Sequence, residues 1–230
     1  MFAGTAVGAQ ELTLDLGDGG SISARSVQLI ALITILSIAP GLAIMITCFP
    51  FVVTVLSILR QAIGMQQSPP NMLIVSLALF LTYFVMEPVF QAAWDAGINP
   101  LIQGQLAMED GIANAIDPFR SFMAARVDGD TFETMAALRP DAAQMARGEE
   151  APLSVLVPSF MLSEVARAFQ IGFLVFLPFL IIDLVVAAVL MSMGMMMVPP
   201  AIVSLPFKLG FFVIADGWSL IAGSLVRSYF

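Results

Sequence analysis

The sequence predicts an all-α membrane protein, built from two long kinked helical hairpins that flank an acidic, partly helical middle region. Three observations carry that prediction. First, 59% of the 230 residues are hydrophobic and only 11% are charged, with a mean hydropathy of +0.95, a balance outside the range of soluble domains. Second, several uncharged runs exceed the ~20 residues that cross a bilayer core as a helix. Third, prolines fall within and between those runs, where they kink or restart helices. Whole classes of chemistry are excluded. With no histidine and one cysteine, Cys48, the chain cannot build a histidine zinc site, a Ser-His-Asp or Cys-His nucleophile, or an internal disulfide. No catalytic residue, metal or cofactor is expected, and a net charge of −8 argues against nucleic acid as a partner.

Residues 1–26 are Gly-, Ser- and Asp-rich and read as a loose N-terminal arm that buries little apolar surface. The arm lacks the basic start and apolar stretch of a secretory signal, so either there is no leader or one was cleaved ahead of this numbering. Residues 27–90 read as the first apolar hairpin. Residues 27–59 hold no charge for 33 positions, with breaks expected at Pro40-Gly41 and Pro50. Arg60 closes the run, Ser68-Pro69-Pro70 marks the bend, and a second helix is expected over residues 71–86, ending near Glu87-Pro88.

Residues 91–157 form the acidic amphipathic region. Ten acids against four arginines fall in residues 95–150, which should face water. Asp117 before Pro118 predicts a helix start, and Asp130 with Glu133 predicts another. Residues 158–230 form the second hairpin. Ser159 is expected to cap its first helix, Glu164 and Arg167 share a face at i, i+3, and Pro178 should bend it. Gly172, Phe169, Phe173, Phe176 and Phe179 give that helix a packing texture. Asp183 interrupts the apolar sequence, residues 184–207 are again uncharged for 24 positions, and one further helix is expected over residues 202–226. Arg60 and Lys208 lie near the two bends, so the positive-inside rule places the bends in the cytoplasm and the acidic region outside.

Acids within apolar surroundings are costly unless paired, wetted or protonated. Asp183 is the clearest, with Asp216 and Glu87 nearer element ends. One reading is a proton or ion relay; the other, favoured without a histidine to bridge them, is pairing with Arg60, Lys208 or Arg227, or helix capping, which fixes hairpin register. A second feature is methionine: Met191, Met193, Met195, Met196 and Met197 fall within seven positions beside Gly194 and Pro199-Pro200. Composition alone reads them as apolar filler at a helix turn. The alternative is a pliable apolar constriction formed by a ring of identical chains.

The ordered strings here resemble a known family. They include Pro158-Ser159-Phe160-Met161-Leu162-Ser163-Glu164-Val165-Ala166-Arg167-Ala168-Phe169-Gln170-Ile171-Gly172-Phe173, then Pro178-Phe179-Leu180-Ile181-Ile182-Asp183-Leu184-Val185, Gly194-Met195-Met196-Met197-Val198-Pro199-Pro200, Leu205-Pro206-Phe207-Lys208-Leu209 and Asp216-Gly217-Trp218. Arg60-Gln61-Ala62-Ile63-Gly64 and Pro69-Pro70-Asn71 add to them in the first half. Together they closely resemble the flagellar branch of the FliP/SctR family of type III secretion export-gate proteins.

The resemblance implies a non-enzymatic component of the bacterial inner membrane and flagellar basal body, with parts facing the periplasm. It implies a homo-oligomer, a pentamer in the family, that joins FliQ and FliR family proteins and other export-apparatus membrane proteins to pass unfolded flagellar subunits. It also implies that Met195, Met196 and Met197, with Met191 and Met193 adjacent, form the pore gate. Glu164, Arg167, Asp183, Lys208 and Asp216 would hold hairpins and subunits in register. Two alternatives stay open: the equivalent subunit of a virulence injectisome, and an ion-coupled transporter subunit using Asp183 and Asp216.

Overall fold

The computed structural model describes residues 22–65, 69–140 and 148–230, and every regular element among these described residues is helical. The chain divides into two units, residues 1–40 and residues 41–230. Helix α1, Ile22–Met45, carries the first apolar stretch. Its Thr34 and Ser37 hydroxyls donate to the Ile30 and Ile33 carbonyls at 2.8 and 2.7 Å, which satisfies them within an apolar helix. Pro40 lies inside this helix, so the break expected at Pro40-Gly41 occurs later, at residues 46–48. There the Thr47 hydroxyl donates to the Ile44 carbonyl at 3.0 Å, and Pro50 falls in the first turn of the next helix, where a missing N–H is harmless.

Helices α2, Phe49–Ile63, and α3, Asn71–Ala93, make the first hairpin. The expected bend at Ser68-Pro69-Pro70 lies partly outside the described residues. On α2, Phe51, Val52, Val55, Leu56, Leu59, Ala62 and Ile63 recur at helical spacing and are buried against Ile74, Ala78, Leu81 and Val85 of α3. Cys48 is fully buried in the same cluster. Each buried Leu, Val or Phe contributes roughly 1.5–3 kcal/mol.

The sequence ends α3 near Glu87-Pro88; the structure carries it to Ala93, then through a π-helical turn, Trp94–Ile98, into α4, Asn99–Ile102. Pro88 removes one helical hydrogen bond, but Val85 and Met86 before it and Ala93 after it are buried, and that packing keeps the helix on course.

Helix α5, Met108–Arg126, and α6, Gly129–Ala137, build the acidic region with a short 3-10 turn at Gly148–Glu150. Asp117-Pro118 does not start a helix: both residues lie inside α5, where Asp117 faces Arg120 at 3.7 Å. The helix instead begins after extended Ala107, with Glu109 and Asp110 in its first turn opposite the positive end of the helix dipole. Asp130 is likewise not the cap of α6. Asp128 is, accepting hydrogen bonds from the Thr131 backbone N–H at 3.0 Å and hydroxyl at 2.9 Å. The backbone bond foremost, then the hydroxyl, holds the Asp128 carboxyl below its usual range.

Helix α7, Leu153–Ser192, runs 40 residues and starts before the expected Pro158-Ser159. Pro152 is extended, and its carbonyl accepts from the backbone N–H groups of Val155 and Leu156, each at 2.9 Å. Ser159 caps nothing; it is buried, and its hydroxyl donates to the Val155 carbonyl at 2.7 Å. A Cβ on Gly172 would come within 2.4 Å of Ile58 Cδ1, so the lack of a side chain there lets α7 lie close on α2. The phenylalanine texture divides: Phe179 is in the core, whereas Phe169 and Phe173 face outward.

Helices α8, Pro200–Ile214, and α9, Gly217–Arg227, replace the single helix expected over residues 202–226 and are bent by 61°. Asp216 takes φ 47° and ψ 49°, left-handed backbone that a right-handed helix cannot continue through. Ile221 and Leu225 of α9 join the main core. A second core of Met123, Phe132, Ala136, Ala151, Val155, Leu156 and Phe160 ties the acidic region to the start of α7. Among the described residues, two helical stretches are long and apolar enough to cross a membrane, Asn71–Ile102 and Leu153–Ser192.

Candidate gate loop and buried charges

The methionine segment is the bend of the second hairpin, between α7 and α8. Gly194 has φ 72°, and its N–H donates to the Met191 carbonyl at 3.1 Å while the Met195 N–H reaches back to the Leu190 carbonyl at 3.0 Å. These paired bonds are the Schellman closure of a helix, which needs a residue that tolerates left-handed backbone. Met195 and Leu190, the apolar partners that usually accompany the motif, both line an apolar groove of about 570 Å³ between α7 and α8, with Ile182, Val186, Val203 and Phe207. Met196 and Met197 project outward, 84% and 98% exposed; Met191 is also exposed, and Met193 is exposed at the edge of the groove. Pro199-Pro200 then restarts the chain as a helix. The turn therefore presents a flexible apolar rim that the chain itself leaves uncovered.

The five charges singled out from the sequence separate into two clusters and one residue apart. In the first cluster Lys208 Nζ lies 2.6 Å from Asp183 Oδ2, and the Ser204 hydroxyl donates to Asp183 Oδ1 at 2.6 Å. Lys208, 5% exposed, also donates to the Ala62 carbonyl at 3.1 Å, in the last turn of α2. One cation thus joins α7, α8 and the negative end of α2. Arg60 takes no part, binding Asn71 Oδ1 and the Pro69 carbonyl. Asp216 stands apart at the start of α9, where its carboxylate accepts from the Ser219 hydroxyl at 3.1 Å.

Glu164 is the centre of the second cluster and is fully buried. Its Oε1 faces Arg167 at 3.5 Å, the pairing expected from their spacing. Two other partners, Arg126 and Tyr229, are absent from the sequence reading. Arg126 reaches from the end of α5 and meets Oε1 through Nε and Nη2, each at 3.1 Å. The Tyr229 hydroxyl donates to Oε2, and the Arg126 guanidinium lies 4.0 Å from the Tyr229 ring centroid. Arg126 Nη1 also donates to the Ser228 carbonyl at 2.7 Å. Burial, reinforced by the Glu164 carboxylate, pushes the Tyr229 hydroxyl up, so it remains a proton donor. No local spacing announces these contacts.

Among the described residues, no group of three or more Cys, Asp or Glu side chains converges as a metal site requires. Glu164, Asp183 and Lys208 are instead engaged in holding helices together.

Comparison with known proteins places this architecture. The FliP family matches residues 32–225. The chain is 52% identical to the "Flagellar biosynthetic protein FliP" of Caulobacter vibrioides, over 97% of this chain and 84% of that protein. It is 44% identical to the proteins of the same name from Agrobacterium fabrum, over 96% of this chain and 92% of the relative, and from Bacillus subtilis, over 89% and 92%. The apolar hairpins, the methionine bend and the buried charge clusters described above are therefore features of a chain that belongs to the FliP family.

Proposed function

We infer that this chain is a membrane-embedded subunit of the flagellar protein-export apparatus and that its methionine bend closes the export passage at rest. Several copies, five by analogy with the family, encircle the passage together with FliQ and FliR family proteins in the bacterial inner membrane at the flagellar basal body. The acidic region faces the periplasm. The observation that carries this reading is the outward rim of Met196 and Met197 at the end of an apolar hairpin, in a chain so close to proteins named for flagellar biosynthesis.

Helix α7 supports an assembly. At 1.5 Å per residue its 40 residues extend about 60 Å, twice the ~30 Å hydrocarbon layer, yet only 11% of its most apolar window is buried within the chain. Its exposed apolar residues run from Leu162 to Met191, about 43 Å at that rise, which is more than the hydrocarbon layer covers, and other subunits supply the remainder. Apolar thioethers from several copies exclude water and ions, and an arriving extended polypeptide replaces those contacts with its own. Pliable side chains suit substrates of many sequences. The chain contains no phosphate-binding loop, so energy comes from partner proteins.

The test is permeability. Replacing Met195, Met196 and Met197 with glycine in the assembled complex should let ions and small solutes leak, and unchanged permeability would remove the gate. The transporter alternative predicts instead that Asp183→Asn abolishes activity without a leak. Loss of motility with intact effector delivery in a deletion strain separates the flagellar role from the injectisome one.

A further inference from the structure

We propose that Met196 and Met197 form a reversible oxidation site, at which hydroperoxide-class oxidants convert an apolar seal into a polar, leaking one. The proposal rests on the gate reading above and assigns that loop a chemical sensitivity. Thioether oxidation requires access to sulfur, and access differs sharply along this chain. Met86 and Met123 are 0% and 1% exposed in the two cores, whereas Met196 and Met197 are 84% and 98% exposed on a turn whose backbone holds them away from α7 and α8. Met195 is more sheltered, because the Schellman closure folds it back along Leu190 over the apolar groove. Met108, 70% exposed at the start of α5, provides a water-facing reference.

The reaction needs only the oxidant. A Met197 sulfur lone pair attacks one oxygen of the peroxide, the S–O bond forms as the O–O bond breaks, and the other oxygen leaves as water after a proton shift. Sulfur loses two electrons and the peroxide gains them. The product sulfoxide is polar and accepts hydrogen bonds. A rim of thioethers repels water from a constriction, and a rim of sulfoxides holds water in it. Sulfoxide reductases with a thiol reductant return the sulfur to its first state, which makes the change reversible.

The experiment uses the full-length chain, purified with its accompanying membrane proteins and reconstituted into phospholipid vesicles loaded with a small dye. Hydrogen peroxide is added, and peptide masses and dye release are followed together. Met196 and Met197 should each gain one oxygen well before Met86 and Met123, though more slowly than Met108, because the seal admits the oxidant only at its two faces. Dye release should rise severalfold in step and fall again after reductase treatment. The Met196→Leu, Met197→Leu double variant should show no rise over its own untreated release. Oxygen appearing first at the core methionines, or equally everywhere, overturns the proposal. So does full oxidation of the loop without added release. In that last case the glycine variant decides the underlying reading: if it leaks, the seal stands and only its oxidation sensitivity falls, and if it does not, both fall.

Discussion

Arg126 and Glu164, 38 residues apart in sequence, meet at 3.1 Å where the end of α5 crosses α7, and Glu164 is wholly shielded from water. A charge so buried is tolerable because both carboxylate oxygens are occupied, and removing one partner exposes the cost of the other. Glu164→Ala, which strands Arg126, should therefore destabilise the protein by about 3–5 kcal/mol. Arg167, 36% exposed, should cost under about 1 kcal/mol when changed to Ala. Thermal unfolding of the detergent-solubilised protein ranks the two, and equal losses would contradict the geometry.

Asp183 and Lys208 should behave as a coupled pair. Asp183→Ala alone leaves a buried ammonium with only the Ala62 carbonyl and should cost about 2–3 kcal/mol, moderated by the partial exposure of Asp183. Adding Lys208→Met should recover part of that loss, because an apolar side chain of similar length fills the site without charge. A double-mutant cycle measures the coupling, and strict additivity would show that the two do not act together.

Gly194 has φ 72°, and Ala there should cost about 1–2 kcal/mol for left-handed backbone, with Asn milder. The affected residue anchors the methionine bend, so the same variants should also raise solute release from reconstituted vesicles, Ala more than Asn.

Gly97 and Gly210 make a matched contrast. A Cβ on Gly97 would come within 2.4 Å of the Gly111 carbonyl oxygen, a backbone atom that cannot rotate away, whereas a Cβ on Gly210 meets nothing within 4 Å. Gly97→Ala should cost at least about 1–3 kcal/mol and Gly210→Ala should be neutral or stabilising by about 0.4–1 kcal/mol, both read from melting curves.

Acidification should loosen the start of α6. The Asp128 carboxyl is lowered in the folded chain by the Thr131 bonds, so its contribution is present above the ordinary carboxylate range and is lost as pH falls through the lowered value. Protease cleavage near residues 128–137 should increase at low pH in this chain. The increase should be weaker in Asp128→Asn, whose amide oxygen caps at any pH.

Much of the fold was legible because composition and apolar run length depend on no distant contact, and they gave two hairpins around an acidic region. Proline was the least reliable guide. Pro40, Pro88, Pro118 and Pro158, read as breaks, ends or starts, all lie inside helices, since neighbouring packing outweighs one absent hydrogen bond. The methionine bend was visible from Gly194 and Pro199-Pro200, and the Asp183 pairing with Lys208 was among the partners its spacing allowed. Arg126 and Tyr229 were not visible, because they approach Glu164 from the end of α5 and from beyond α9, and no periodicity in the chain encodes that meeting.

Cys48 is the sole cysteine of the chain and lies at 0% exposure within the α2 and α3 cluster. The molecule thus arrives as a natural blank for thiol chemistry. A cysteine placed at position 197 would be the one sulfhydryl open to maleimides or to bridging with a neighbouring copy, so spacing and movement around the passage can be tracked without first stripping native thiols from the chain.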